Sequence, residues 1–284
     1  MLDINKQTKH IVCFSGGESS SIVGLEVAKQ YGTENLILLN HDISTLVESE
    51  EIKEYKNQIA NKIGKEITYA NYKDQKVSNI PDQFELSVKL NGFKFGKNPP
   101  LCTTFLKTTP FHNWLENFVP DRNCIIYYGF DENEVARIQR RSSILAEKGY
   151  QSDYPLALWQ FKKDYKRTFF KTSDVGIQKP SQYSHRKHAN CVGCIKGGRV
   201  SWYVTYVMDK EIFDKAKWAE KRIGYSIDKE YFLYELEPIF SQLHAIGFEA
   251  TEHQNGKSFW SKAKKHGIHL IHSNDDEKPC ECIF

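Results

Sequence analysis

The sequence predicts an α/β protein: a parallel sheet with helices on both faces, followed by a mainly helical, cysteine-containing extension. Three observations lead there. Short apolar runs alternate with amphipathic stretches over the first half of the chain, and three of those stretches close at a glycine, Gly32, Gly64 and Gly149. The alternation then stops after Tyr150, where aromatic residues become dense and a Cys-x-x-Cys pair follows. Strands alternating with helices of this length imply crossover connections and therefore parallel strands buried on both faces.

The elements follow in order. His10 to Phe14 reads as a buried strand, and Glu18 to Tyr31 as a helix with Ile22, Val23, Leu25, Val27 and Ala28 as its apolar positions. Asn35 to Leu39 is a second strand, ending at Asn40-His41-Asp42, and Glu48 to Ile63 a second helix. Glu66 to Tyr72 is a third strand. Asp74 to Pro100, with three prolines and two glycines, reads as a mobile loop holding one short helix. Leu101 to Val119 contains a helical stretch, Asn123 to Gly129 a strand, and Glu132 to Lys148 a charged amphipathic helix. The architecture is Rossmann-like. A boundary near residue 160 divides a nucleotide-binding domain, 1–160, from an extension, 161–284. In the extension, the aromatic spacing from Trp202 to Ile223 fits a helix with a buried stripe.

Composition places the chain among ordinary globular proteins, with 40% hydrophobic and 26% charged residues. A formal charge of +3 neither demands nor excludes a polyanionic partner. Met1 to His10 is polar and charged, and no apolar run approaches the roughly 18 residues a membrane span needs. A cytoplasmic protein with no membrane partner is expected. Seven cysteines, an odd number without a secretory signal, argue against a disulfide framework. Cys13 and Cys124 sit in apolar runs and read as buried structural thiols.

Ligands of parallel α/β sheets bind beyond the carboxyl ends of the strands. Three segments leave such ends here: Ser15 onward, Asn40 onward (with Asp42) and Gly129 onward. The first, Ser15-Gly16-Gly17-Glu18-Ser19-Ser20, is a glycine turn between a strand and a helix. It presents backbone N–H groups at a helix N-terminus, an arrangement that binds phosphate. No Gly-Lys-Ser/Thr follows, so this is not a Walker A loop. A serine helix cap is the plain alternative.

Val12 to Ser20 resembles the PP-loop of the adenine nucleotide α-hydrolase superfamily, usually S-G-G-x-D-S; Ser19 stands where that pattern has aspartate. Cys102-x4-Lys107-x2-Pro110 is similar to an element of the PAPS reductase branch. So are the strand ending in Gly129 before an arginine-bearing helix, and Tyr154-Pro155-Leu156 with Trp159. The four motifs run in order from about residue 10 to 160. The resemblance implies a PAPS-reductase-like enzyme with an adenine nucleotide α-hydrolase-like fold. Ser15, Gly16, Gly17, Ser19, Ser20, Asp42, Gly129 and Arg141 would hold PAPS, APS or ATP, with Mg2+ beside the phosphates. Lys107 and Arg137 would neutralise the reacting anion. Glu281-Cys282 resembles the reductase tail E-C-G-I-H, but Ile283 and Phe284 end the chain without its glycine and histidine. The resemblance makes Cys282 the nucleophile, with a thioredoxin-type reductant as partner.

The remaining thiols leave three arrangements open. Cys191, Cys194, Cys280 and Cys282 suit a structural zinc. Cys102, Cys191 and Cys194 suit a 4Fe-4S cluster, with a tail cysteine or an open site on the fourth iron. Without metal, the tail stays chemical. Between Gln160 and Val200 stand ten basic residues against Asp164 and Asp174, with Tyr165, Phe169, Phe170 and Tyr183 interleaved. This segment suits nucleic acid, a polyphosphate nucleotide or a solvated face. Two alternatives to the reductase therefore stand: an ATP-dependent PP-loop sulfurtransferase that modifies nucleic acid through an Fe-S cluster, and a non-catalytic nucleotide-binding subunit.

Overall fold

A computed structural model describes residues 8–96, 98–189 and 191–270. Strands β1 (Lys9–Cys13), β2 (Leu36–Asn40), β3 (Ile67–Tyr69), β4 (Cys124–Tyr127) and β5 (Gln151–Asp153) form one sheet in the order β3-β2-β1-β4-β5, every pair parallel. Helices α1 (Glu18–Tyr31) and α2 (Glu50–Ile63) cover one face; α5 (Thr109–Phe118) and α6 (Val135–Glu147) cover the other. The period-2 alternation of strand side chains sorts the two cores. In β1, Ile11 and Cys13 join the α5/α6 side, whereas Val12 and the adjoining Phe14 join the α1/α2 side. No helix among the described residues is long and apolar enough to cross a membrane.

Local chemistry explains most element ends. Ser49 caps α2 by accepting from the Ile52 N–H, and Gly64 closes that helix in the left-handed region. Asp82 and Glu85 form a capping box on α3 (Gln83–Lys89). The segment read as one helix from Leu101 is three: α4 (Leu101–Thr103), a π-helical turn Thr104–Thr108, and α5. Pro110 lacks an N–H and its ring crowds the carbonyl four residues earlier, which accounts for the widened turn before it. Likewise the Trp202–Ile223 stretch is two helices, α8 (Arg199–Met208) and α9 (Lys210–Ile223), broken at Asp209 (φ −139°, ψ 60°). Trp202, Tyr203 and Phe213 are buried as the stripe requires, but Trp218 is exposed.

The short α7 (Pro155–Leu158) leads out of the sheet, and α10 (Leu233–Ala245) and α11 (Gly256–Lys265) complete a helical layer with α8 and α9. The cores do not part at residue 160. Val47, Phe84 and Phe93 enter the core of the helical layer, while Tyr165, Phe169 and Ile177 pack on the α1/α2 side of the sheet. The chain after α7 thus returns to the α1/α2 side of the sheet before the helical layer begins.

Beneath the glycine turn lies a buried ion pair. Lys56 of α2 is 1% exposed and donates to both carboxylate oxygens of Glu48 at 2.9 Å. Gly16 has φ +81°, and a Cβ there would stand 2.7 Å from the Lys56 Cγ and Cδ. Glycine is needed for the backbone conformation and for the lysine stem that supports it. Lys56→Met alone should lower the unfolding free energy by about 3–5 kcal/mol, because it strands a buried carboxylate. Adding Glu48→Gln should recover more than about half of that loss. Urea denaturation checks both; a single-variant cost under about 1 kcal/mol would mean that water reaches the pair.

Candidate functional site

β1 lies between β2 and β4, so the helices that follow β1 and β4 leave toward opposite faces and open a crevice at the strand ends. The turn after β1 is held by its own hydroxyls. Ser20 Oγ donates to the Gly17 carbonyl at 2.9 Å, Ser21 Oγ does so at 3.0 Å, and Ser15 Oγ lies 3.1 Å from Ser20 Oγ. Gly17 caps α1 without a side-chain bond. The Glu18 N–H donates to the Tyr183 hydroxyl at 3.2 Å, whereas the Ser19 and Ser20 N–H groups have no partner among the described residues. Two unpaired donors at the N-terminus of a 14-residue helix are a candidate anion site, although Glu18, Glu48, Asp131 and Glu134 line the same cavity.

Those donors face a cavity of about 410 Å³ lined from all three strand ends that the sequence singles out. Ser15, Gly17, Ser19 and Ser20 come from the first, Asn40 and His41 from the second, and Gly129 and Arg137 from the third. Lys107 reaches it from the π-helical turn. Arg137 is fixed twice: it pairs with Glu134 and stacks over the Phe130 ring at 4.2 Å. Gly129 is where β4 meets the turn. A Cβ there would stand 2.8 Å from the Ser20 nitrogen and 2.9 Å from the Ser19 carbonyl carbon.

Asn40 is 3% exposed. Its Oδ1 accepts from the His41 N–H at 2.5 Å, which fixes the amide orientation and leaves Nδ2 as a buried donor without a partner in the cavity wall. His41 Nδ1 bonds the Ala70 carbonyl, and burial pushes this imidazole down to about 3, so it is uncharged at neutral pH. Burial pushes the Cys13 thiol up to about 12; it lines the cavity but stays protonated, as a structural thiol should.

Cys102, Cys191 and Cys194 line a second, smaller cavity, which shares Lys107, Cys191 and Ile43 with the first. The Cys-x-x-Cys turn is firmly held. Gln83 Nε2 donates to the Val192 and Gly193 carbonyls at 2.8 and 3.1 Å, and the Val192 N–H donates to Val47 at 2.9 Å. Lys196 also lines this cavity, and its Nζ is buried without a hydrogen-bond partner. Three soft thiols beside a lone buried ammonium suit a thiolate-bound metal centre of net negative charge. Among the described residues, however, no three His, Cys, Asp or Glu side chains are already drawn to ligating distance. The sequence-derived ligand Cys280 and nucleophile Cys282 lie outside the described residues.

Some expected site residues stand elsewhere. Gly16 is under the turn, not in the cavity wall. Asp42 is outside the lining, its carboxylate and its N–H both bonded to the Asn71 side chain. Arg141 sits one turn, about 6 Å, farther along α6 than Arg137; its guanidinium lies 5.6 Å from the Tyr128 ring centroid, and it lines a neighbouring groove instead. In the basic segment, Lys162, Lys179, Arg186 and Arg199 are in ion pairs with acidic residues. Arg186 and Arg199 are buried there, so they support the fold and present no charge to a polyanion.

Asn40, Tyr183 and His188 also line the first cavity. The sequence marked Asn40 only as a strand end and Tyr183 only as one aromatic of the basic segment, and assigned none of the three a site role. Compared with known proteins, the chain matches no family model, no curated protein and no solved structure.

Gly129→Ala should lower the unfolding free energy by about 1–3 kcal/mol, since its methyl group must displace the turn's backbone. Urea denaturation checks it; a variant as stable as the parent would show that the turn can give way.

Proposed function

We propose that this chain is a PAPS-reductase-like enzyme of sulfur metabolism that binds an adenine (sulfo)nucleotide in the larger cavity. One observation carries the reading: Lys107 and Cys191 stand in the walls of both cavities, so the anion site and a group of three thiols adjoin. In this reading the Ser19 and Ser20 N–H groups take a phosphate oxygen, Lys107 and Arg137 balance the remaining charge, and Asn40 Nδ2 donates to a ligand acceptor.

The reaction follows from the groups present. A thiolate attacks the sulfur of the sulfonucleotide; the S–O bond breaks and the adenosine phosphate leaves with the bonding pair. The product is a protein thiosulfonate. A second thiolate then attacks the cysteine sulfur, sulfite leaves, and a disulfide remains for a dithiol partner to reduce. The resemblance gives the first attack to Cys282, while Cys191 is the described thiol that already faces both cavities.

A second reading has its own support in the three thiols and the buried Lys196 ammonium around one cavity. Here the enzyme is an ATP-dependent sulfurtransferase, and Cys102, Cys191 and Cys194 would hold a metal centre. Such a centre would supply either a structural tie or a site for transferable sulfide. The chain's own part is unchanged: the turn binds phosphate, and Lys107 keeps the anionic groups of the two cavities together.

Reduced protein supplied with PAPS or APS and a thioredoxin should release sulfite, and Cys282→Ser should abolish the release. If Cys191→Ser abolishes it and Cys282→Ser does not, the attack belongs to Cys191. No sulfite from either nucleotide removes the reductase reading. Separately, metal analysis of anaerobically purified protein tests the second reading: about four irons with matching sulfide or about one zinc per chain, lost in Cys102→Ala, would support it. Metal-free protein with full activity would exclude it.

A further inference from the structure

Beyond Arg137 the nucleotide cavity continues into a separate groove of about 670 Å³, between α6 on one side and Phe95 with residues 98–108 on the other. The two share Phe130 and Arg137. Three features mark the groove as more than an edge of the nucleotide site. First, Arg137, Arg140 and Arg141 all line it, and no carboxylate does among the described residues. Second, Phe95 and Phe105 line it while 53% and 38% exposed, although aromatic rings of that size are ordinarily buried. Third, Phe105 is carried on the π-helical turn whose Lys107 reaches the nucleotide cavity, and π-turns inside helices concentrate at functional sites. The buried Arg141 Nε and His112 Nδ1 have no hydrogen-bond partner and belong to residues of the same wall.

We propose that this groove binds a single-stranded polynucleotide, leading one of its nucleotides toward the cavity at Arg137. The arginines match a run of phosphates, and the two ring faces match bases. A duplex keeps its base faces stacked on one another and leaves both phenylalanines in water. An acidic peptide satisfies the arginines but not the rings. The strand lies against α6 rather than on the basic segment 160–200, where Arg186 and Arg199 are buried. The inference rests on the groove alone and holds whichever sulfur reaction the thiols perform.

Fluorescence anisotropy of the full chain with labelled 15-nucleotide single strands, one ribo and one deoxyribo, tests it. Saturable binding is expected, weakening with salt with a log–log slope of roughly −2 for three phosphate contacts. Phe105→Ala and Phe95→Ala should each weaken it about 5- to 100-fold, as the loss of one stacked base does. Arg140→Glu should weaken it and make the slope shallower by about 0.7. The exposed pair Lys163→Glu/Lys166→Glu should leave it unchanged. The ribo and deoxyribo arms identify the strand. Adenine-nucleotide affinity, measured on the same variants, separates failure of the groove from failure of the nucleotide site. The proposal is overturned if neither strand binds saturably, or if the phenylalanine variants bind as the parent does. It is also overturned if polyglutamate or duplex competes as well as the single strand, or if the Lys163/Lys166 variant alone loses binding.

Discussion

No side chain fits where Gly129 meets the turn between β1 and α1, and the site depends on that closeness. Parallel pairing of β1 with β4 brings the two strand ends level, with Val12 opposite Tyr127. The next residues must then pass within van der Waals contact, and only hydrogen on the Gly129 Cα permits it. The close passage sets the Ser19 and Ser20 N–H groups beside the helix that carries Arg137. From below, Lys56 occupies the space that a Gly16 side chain would need, and Glu48 neutralises it. The turn is thus fixed by backbone contact on one side and a desolvated ion pair on the other. A pre-set ring of donors loses little entropy when an anion arrives.

Charge is distributed by the fold in a way that composition conceals. The chain is only slightly basic overall. Buried Arg186 binds Asp209 and Glu252 and ties the segment before α8 to the helical layer, and buried Arg199 binds Asp228 and Glu230 within that layer. The arginines of α6 line the groove, and Lys107 and Lys196 stand at the thiols. Cationic groups therefore follow a path from the thiols through the anion site into the groove. The same charges would hold an anionic substrate beside the thiols. The π-turn links these regions: Lys107 reaches both cavities, and Phe105 reaches the groove.

The sequence by itself determined the parallel α/β frame, the three strand ends that build the cavity, and the burial of Cys13 and Cys124. These rest on local signals, namely strand and helix periods in burial and glycines closing helices, and each needs only its own neighbourhood to act. It did not determine the widened turn before Pro110 or the break at Asp209, where backbone geometry interrupts a continuous apolar pattern. Tertiary structure alone decided that Asn40, and not Asp42 two residues on, lines the cavity, because Asn71 from beyond β3 takes the aspartate. It alone brought Tyr183 to the Glu18 N–H and Cys102 to the cavity of Cys191 and Cys194. These partners are 89 or more residues apart in the chain. Contacts of that range depend on where the crossing segments return, and no local period carries that information.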